Sequence, residues 1–329
     1  MPDFPIPNSR RILVLINPRA SGGQPAVLRR RIAGAFAAHG VAFDLFESTS
    51  GTEAVDVIHS AVAAGYKTIA AAGGDGTIAL ALRGTAGTDV PVAILPFGTG
   101  NQLALNFGIP VSLEGSVEVA VTGVAEQIDL GRIGGEYFAL IAGAGLDAEV
   151  MAGATSELKS RIGFLAYLYS GLKNVITPRS ADYRIVADGQ EIEVRATMVL
   201  LANVGMLGAG SLPVEFKVAP MTSVQDGLLD VCVFAPRHIP DMAAMLWRVA
   251  RRKYSGDDRM IFLQAKKVRV DSDPPVAAQI DGEPRGETPI EAEVVPLAGR
   301  ILVPRWRSRT PEVDSKATPE SKADPEAGA

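Results

Sequence analysis

Lys67-Thr68-Ile69-Ala70-Ala71-Ala72-Gly73-Gly74-Asp75-Gly76-Thr77 decides how this chain is read, because an apolar, strand-like run delivers a carboxylate into a glycine-rich turn. Gly73, Gly74 and Gly76 let the backbone take positive φ and bring its N–H groups close to an anion, and a following helix adds the positive end of its dipole. A carboxylate would repel bare phosphate. Asp75 therefore makes sense chiefly with Mg2+ between it and a nucleotide phosphate, since Mg2+ favours one or two carboxylates plus phosphate oxygens. The competing reading is an ordinary glycine turn in which Asp75 caps the next helix.

Outward from this turn, strand-like runs at 11–16, 41–46, 68–72 and 92–96 alternate with helical patterns after 23 and at 53–64, 78–83 and 102–107. Such alternation with short loops predicts an α/β domain with a doubly wound parallel sheet. Ligands of such sheets bind at the carboxyl ends of the strands. Asn17-Pro18, Ser48-Thr49, the 73–77 pentad and Phe97-Gly98-Thr99-Gly100-Asn101 all follow strands, so they are expected to converge on one crevice. Beyond about residue 130 short alternating runs divided by Gly, Pro and Asp turns predict an antiparallel β-sandwich, interrupted by helices at 158–176 and 240–252. The expected organisation is an N-terminal extension at 1–9, the α/β domain at 10–132 with a returning strand at 300–305, the sandwich at 133–299, and a disordered tail at 308–329 that lacks bulky apolar residues.

Composition narrows the function. The chain has 329 residues, 47% of them apolar and 21% charged, with a formal net charge of −5. That balance predicts a packed protein without the basic footprint of nucleic-acid binding. One cysteine, Cys232, excludes an internal disulfide framework, and three scattered histidines make no zinc pattern. The absence of a long apolar run or a signal-like start predicts a cytoplasmic location with at most peripheral contact at the inner face of a membrane.

Asn17-Pro18 with Ser21-Gly22, the 73–77 pentad, Pro96-Phe97-Gly98-Thr99-Gly100-Asn101, the 143–148 run Gly-Ala-Gly-Leu-Asp-Ala, Asp226-Gly227-Leu228-Leu229-Asp230 and Asp281-Gly282-Glu283-Pro284 occur in the order found in the diacylglycerol kinase and sphingosine kinase superfamily. The resemblance covers nearly all of residues 10–305. It implies transfer of the γ-phosphoryl group of ATP to a lipid hydroxyl, in a cleft between an α/β domain and a β-sandwich. By the same resemblance Gly73, Gly74, Asp75, Gly76, Thr77, Gly98 and Thr99 hold ATP, with Thr49 or Ser48 nearby, and Asn17 and Asn101 orient the loops. Glu283 is the implied general base, with Asp281 second. A structural Mg2+ is implied at Ser223, Asp226 and Leu228, and Asp129 is implied to support the catalytic metal. Asp147 either contacts an acceptor hydroxyl or terminates a strand.

Two departures from the family pattern stand out. Ala79-Leu80 replaces a polar Asn-Glu pair common in bacterial members, and Gln102 replaces an acid. Both weaken the metal site and admit a second reading, a catalytically weak regulatory pseudokinase that binds lipid or nucleotide. The expected partner is a lipid substrate at a membrane surface, with diacylglycerol or a sphingoid-type alcohol as acceptor and with no nucleic acid; a homodimer is left open. Aromatic and basic residues at 158–176 form a helix that walls a lipid cleft or packs on the sandwich, and Met242, Met245, Leu246 and Trp247 followed by Arg248, Arg251, Arg252 and Lys253 form either a surface for anionic lipid or a solvated basic face.

Overall fold

A computed structural model describes residues 11–18, 25–145, 180–208 and 215–307. The segments 158–176 and 308–329, and Asp147, lie outside these residues. The first unit comprises β1 (Ile12–Ile16), α1 (Pro25–Ala38), β2 (Phe43–Glu47), α2 (Gly51–Ala63), β3 (Thr68–Gly73), α3 (Asp75–Thr85), β4 (Val92–Pro96), α4 (Gln102–Asn106) and α5 (Leu113–Thr122). The chain continues through β5 (Val124–Ile133), β6 (Glu136–Phe138), β7 (Ile141–Gly145), β8 (Ala181–Ala187), β9 (Gln190–Ala196), β10 (Met198–Ala202), β11 (Met206–Gly208), β12 (Glu215–Lys217) and β13 (Leu229–Phe234). It ends with α6 (Ile239–Ala250), β14 (Met260–Ala265), β15 (Lys267–Asp273), β16 (Ala277–Ile280), β17 (Glu283–Glu287) and β18 (Ile290–Val303).

Strands β2, β1, β3 and β4 pair in parallel in that order. Side chains alternate across this sheet, as the period of two demands. Ile12, Val14 and Ile16 pack with Leu28, Ile32 and Phe36 of α1 and with Leu113 and Val117 of α5. Leu13 and Leu15 face Val57 and Ile58 of α2 and Ile78 and Leu82 of α3. The second unit is antiparallel. The sheet β14-β13-β10-β7-β16-β17 lies over a layer containing β8, β9, β15 and the first half of β18. Tyr183, Ile185, Val268 and Val270 from one layer meet Val199, Leu201, Val231 and Val233 from the other in a dry core.

β18 joins the two units. Its residues up to Val295 pair antiparallel with β15 and with the second half of β5, while Ile301 pairs in parallel with Val92 of β4. The register against β5 shifts between Val295 and Gly299, where Leu297 takes a φ of 53°. Opposite this bulge stands Asp129, fully buried. Its Oδ1 accepts the Leu297 N–H at 2.8 Å and its Oδ2 accepts the Gly227 N–H at 2.7 Å. The strand that returns from the sandwich to the parallel sheet thus turns on a carboxylate whose two oxygens each take a backbone amide.

Replacing Asp129 by Ala would leave both amides without a partner. At about 1–3 kcal/mol for each buried unsatisfied group, Asp129→Ala is expected to lower unfolding stability in urea by roughly 3 kcal/mol. An unchanged urea midpoint would show that the bulge holds without it.

Candidate active site

The parallel register brings the strand ends level. Ile16 lies beside Glu47 on one side and Ala72 on the other, and Gly73 lies beside Pro96. Backbone bonds then lace the loops together just past the strands: Ser48 N–H to the Ile16 carbonyl (3.1 Å), Asn17 N–H to that of Ala72 (3.3 Å), and Phe97 N–H to that of Gly73 (2.9 Å). Asn17, Ser48-Thr49, the 73–77 turn and the 97–101 turn therefore share one edge, and the strand order reverses direction there, between β1 and β3.

The two glycine turns touch through their backbones. A methyl group on Gly98 would lie 2.5 Å from the Gly74 Cα, and one on Gly73 would collide with the Thr77 side chain. Asn101, at φ 47°, closes the second turn: its Oδ1 accepts the Gly98 N–H at 2.9 Å and its Nδ2 donates to the Gly98 carbonyl at 2.9 Å. This contact sets Asp75, first residue of α3, against the start of α4, where the Leu103 N–H donates to Asp75 Oδ1 at 3.0 Å. Burial pushes the Asp75 carboxyl above the usual range, while the Leu103 and Gln102 amides pull it down. The aspartate does cap a helix, but α4 rather than its own.

Thr49 is tied up locally. Its N–H and hydroxyl both donate to Glu53, at 2.7 and 2.5 Å, and the Ser50 hydroxyl accepts the Glu53 N–H, so a capping box opens α2 beside the glycine turns. Ala79 is buried and Leu80 packs against Gly51 at that same helix start. Leu80 thus fills an α2–α3 contact. Gln102 is buried, and its Nε2 donates to the Gly100 carbonyl at 3.3 Å.

Asp281 and Glu283 lie on the β16–β17 hairpin and differ in role. Asp281, at φ 49°, accepts three backbone amides, from Ala139 (3.0 Å), Leu140 (2.8 Å) and Ile141 (3.2 Å), and so fixes the hairpin onto the start of β7. Burial outweighs these bonds and pushes its carboxyl up to about 6. Glu283 is exposed on the hairpin's outer arm. Arg83, in the last turn of α3, reaches this region through the Tyr137 carbonyl (3.3 Å) and Glu136 (3.7 Å), and its charge acts on Asp281. The helix that begins at Asp75 therefore ends against β6, whose Glu136 also pairs at 2.9 Å with Arg285 of the β16–β17 hairpin.

Asp129, Asp226 and Leu228 gather elsewhere, along the loop before β13. Asp226 Oδ1 accepts the Leu228 N–H at 3.0 Å and its Oδ2 accepts Gln264 Nε2 at 3.1 Å. Ser223 precedes them on the same loop, and Val224 is bonded through its carbonyl to the Asp129 N–H at 2.7 Å. Burial, then the charges of Asp230 and Asp129, raise the Asp226 carboxyl. Asp230 is buried with its Oδ1 unpartnered, although its Oδ2 accepts the Thr222 hydroxyl at 2.9 Å. Among the described residues no group of three or more His, Cys, Asp or Glu is arranged to hold a metal ion. A cation here would rest on Asp226 with backbone oxygens. Asp129 is built into this loop and the β18 bulge.

Sequence reasoning missed Arg83 and Asn106. Asn106 Nδ2 donates to the Met206 carbonyl at 2.8 Å while its Oδ1 accepts the Met206 N–H at 3.2 Å, which ties α4 to β11 of the second unit. A lone Arg and a lone Asn on helices carry no local signal; only the tertiary pairing reveals them.

Comparison with known proteins places this geometry. Residues 11–133 match the diacylglycerol kinase catalytic domain, and residues 141–303 match the YegS C-terminal NAD kinase beta sandwich-like domain. The chain is 31% identical over 265 residues to a diacylglycerol kinase of Mycobacterium tuberculosis, covering 78% of this chain and 84% of that one. It is 29% identical over 269 residues to a diacylglycerol kinase of Bacillus subtilis, covering 80% and 86%. It spans 54% of the length of an uncharacterized Synechocystis protein, to which it is 27% identical over 240 residues, 72% of this chain. A crystal structure of a diacylglycerol kinase from Bacillus anthracis superposes with a TM-score of 0.70 at 21% identity, covering 90% of this chain and 98% of that one, and shows the shared fold.

The glycine contact is testable by overpacking. Gly98→Ala is expected to cost about 1–3 kcal/mol of stability and to lower hydrogen-exchange protection of the Leu103 amide; unchanged protection would mean that Asp75 does not depend on the contact. Asp281 is testable by pH. Its folded value lies above that of the unfolded chain, so its contribution is full below about pH 4 and is lost as pH rises through about 6. The stability difference between wild type and Asp281→Asn should fall across that window, with a carboxyl carbon titration centred near 6. A carboxyl that titrates below the ordinary range would mean that the three amides win over burial.

Proposed function

The chain belongs to the diacylglycerol kinase family of lipid kinases, which are phosphotransferases, and from that premise we propose that it transfers the γ-phosphoryl group of ATP to the hydroxyl of a lipid such as diacylglycerol or a sphingoid-type alcohol. The observation that carries the reading is the backbone contact of Gly74 with Gly98, which sets two glycine turns and two helix starts around Asp75. Backbone amides at helix N-termini are donors for phosphate oxygens. Asn101 holds the second turn in the shape this requires.

Mg2+ suits Asp75 on the chemistry of the donor. The charged carboxylate is disfavoured by burial, and a cation between it and phosphate would relieve that cost. When bound, the ion would neutralise charge developing on the transferred group. Asp226, with Ser223 and Leu228, suits a second, structural Mg2+, supported by the unpartnered Asp230 Oδ1 beside it and by the like charges that raise Asp226.

On the acceptor side, Glu283 takes the hydroxyl proton. Its support is contrast with its neighbour: Asp281 spends both oxygens on amides at 139–141, whereas Glu283 is exposed on an arm that those bonds hold still. Arg285 on that arm pairs at 2.9 Å with Glu136, which also meets Arg83 at the end of α3. Leu80 packs against the start of α2, and named kinases among the relatives favour an enzyme over a pseudokinase.

The test is transfer of labelled γ-phosphate from ATP and Mg2+ to a panel of lipid alcohols, with NAD as a soluble control. Asp75→Asn keeps an acceptor for the Leu103 N–H but loses the charge, and is expected to abolish transfer with the fold intact. Glu283→Gln should lower turnover by about 10²–10⁴-fold, the range for loss of a general base, with ATP affinity unchanged. Full activity in Asp75→Asn, or loss of ATP binding alone in Glu283→Gln, would defeat these assignments.

A further inference from the structure

We propose that the outward face of α6 and the turn after it dock the protein on an anionic lipid bilayer, an inference that rests on the reading of the chain as a lipid-hydroxyl kinase. α6 is apolar on two sides. Its inward side buries Met245 and Val249 against the core shared with Phe234 and Met260. On a solvated helix the opposite side would be polar. Here it presents Pro240, Ala243, Ala244, Trp247 and Ala250, with Arg251 as its single charge. Trp247 is 62% exposed, and the Arg251 guanidinium stacks on its ring at 4.4 Å. An indole beside a guanidinium is the pairing expected at a membrane interface, where one end sits among acyl chains and the other meets headgroups.

Charge identifies the surface it fits. The chain carries a net −5, yet residues 237–259 hold six Arg and Lys against three Asp. Those three acids are occupied: Asp241 and Asp257 by Arg259, at 2.5 and 2.8 Å, and Asp258 by Arg237 at 3.4 Å. Arg251, Arg252 and Lys253 are exposed and have no acidic partner among the described residues. A second copy presenting the same face would set cations against cations, and a nucleic acid would leave the Trp247 and alanine strip unused. An anionic bilayer satisfies both features.

The face is also coupled to the site. α6 packs on β12, and the Tyr254 hydroxyl just after it donates to the Lys217 carbonyl at 2.5 Å. β12 pairs with β11, which Asn106 ties to α4, the helix that caps Asp75. Docking through α6 therefore rests on the same scaffold that positions the phosphate loops.

The experiment is flotation of the full chain with vesicles of phosphatidylcholine alone or mixed with phosphatidylglycerol, read alongside Trp247 emission in a Trp306→Phe background. Binding is expected to the mixed vesicles only, with a blue shift of Trp247 and release by salt. Combining Arg251→Gln, Arg252→Gln and Lys253→Gln should weaken binding by about a hundredfold, and Trp247→Ala should remove the emission change and weaken binding by about tenfold. Transfer to a short-chain diacylglycerol in detergent should be unaffected in both variants. Binding that is unchanged in them, or equal on neutral vesicles, overturns the proposal. So does a dimer that Trp247→Ala splits with no effect on vesicles, which would assign the face to a second copy. Vesicle binding that responds as expected in a protein that phosphorylates no lipid would leave the docking surface standing and defeat the kinase reading.

Discussion

The structure depends on one strand belonging to two architectures. A parallel sheet and an antiparallel sandwich run their strands differently, so β18 cannot serve both without a break in register. The break costs ladder hydrogen bonds, and a left-handed residue at Leu297 costs backbone strain. Asp129 offsets both by accepting one amide from the bulge and one from the loop before β13. Asn203 adds a brace, donating to the Asp129 and Ala139 carbonyls at 2.9 and 3.0 Å. At this joint the register of β18 is fixed by buried, mostly satisfied polar groups, where apolar packing alone would leave it free.

Glycine performs the second constraint. At Gly98 no side chain fits, because a Cβ there would lie 2.5 Å from the Gly74 Cα; at Gly74 a Cβ would press on the Gly98 Cα at 3.3 Å. The consequence is electrostatic as much as steric. Asp75 opens α3 and meets the free amides of α4, so two partial positive ends converge on one carboxylate. Short as α4 is, it is held at its other end by Asn106 and by Arg307, whose Nη1 donates to the Asn106 carbonyl at 3.0 Å. A loop geometry that reads as local is therefore braced from the second unit and from Arg307, just past β18.

How much of this was legible follows range of interaction. The strands of the parallel sheet and the glycine turns were readable because hydrophobic period and turn chemistry are local properties. α5 was not: Val117, Val119 and Val121 alternate as in a strand, with Gly115 and Ser116 before them. It is a helix because the Ser112 hydroxyl accepts the Gly115 N–H and because Leu113, Val117 and Ala120 fall on one buried face. β5 was likewise blurred into the domain change near 130, since its partners are the two halves of β18, more than 150 residues away. Among site residues, glycines and carboxylates announced themselves; the amides at 139–141 that occupy Asp281 did not, because they lie about 140 residues away in sequence.

Gln102 shows why a departure from a family pattern need not be a defect. A methyl on Gly100 would sit 3.0 Å from Gln102 Nε2 and 3.2 Å from Asp75 Oδ2, so the two side chains flank the same glycine. An acid at 102 would put a second negative charge beside a carboxyl that burial already pushes up, and like charges push further in that direction. It would also lose the donor that holds the Gly100 carbonyl. The amide keeps the turn closed while leaving Asp75 the single carboxylate of its loop. The balance of charge at this edge then shifts toward the backbone amides of α3 and α4. With one carboxylate set against two helix starts, fixed backbone dipoles rather than a carboxylate cluster dominate the charge of this edge.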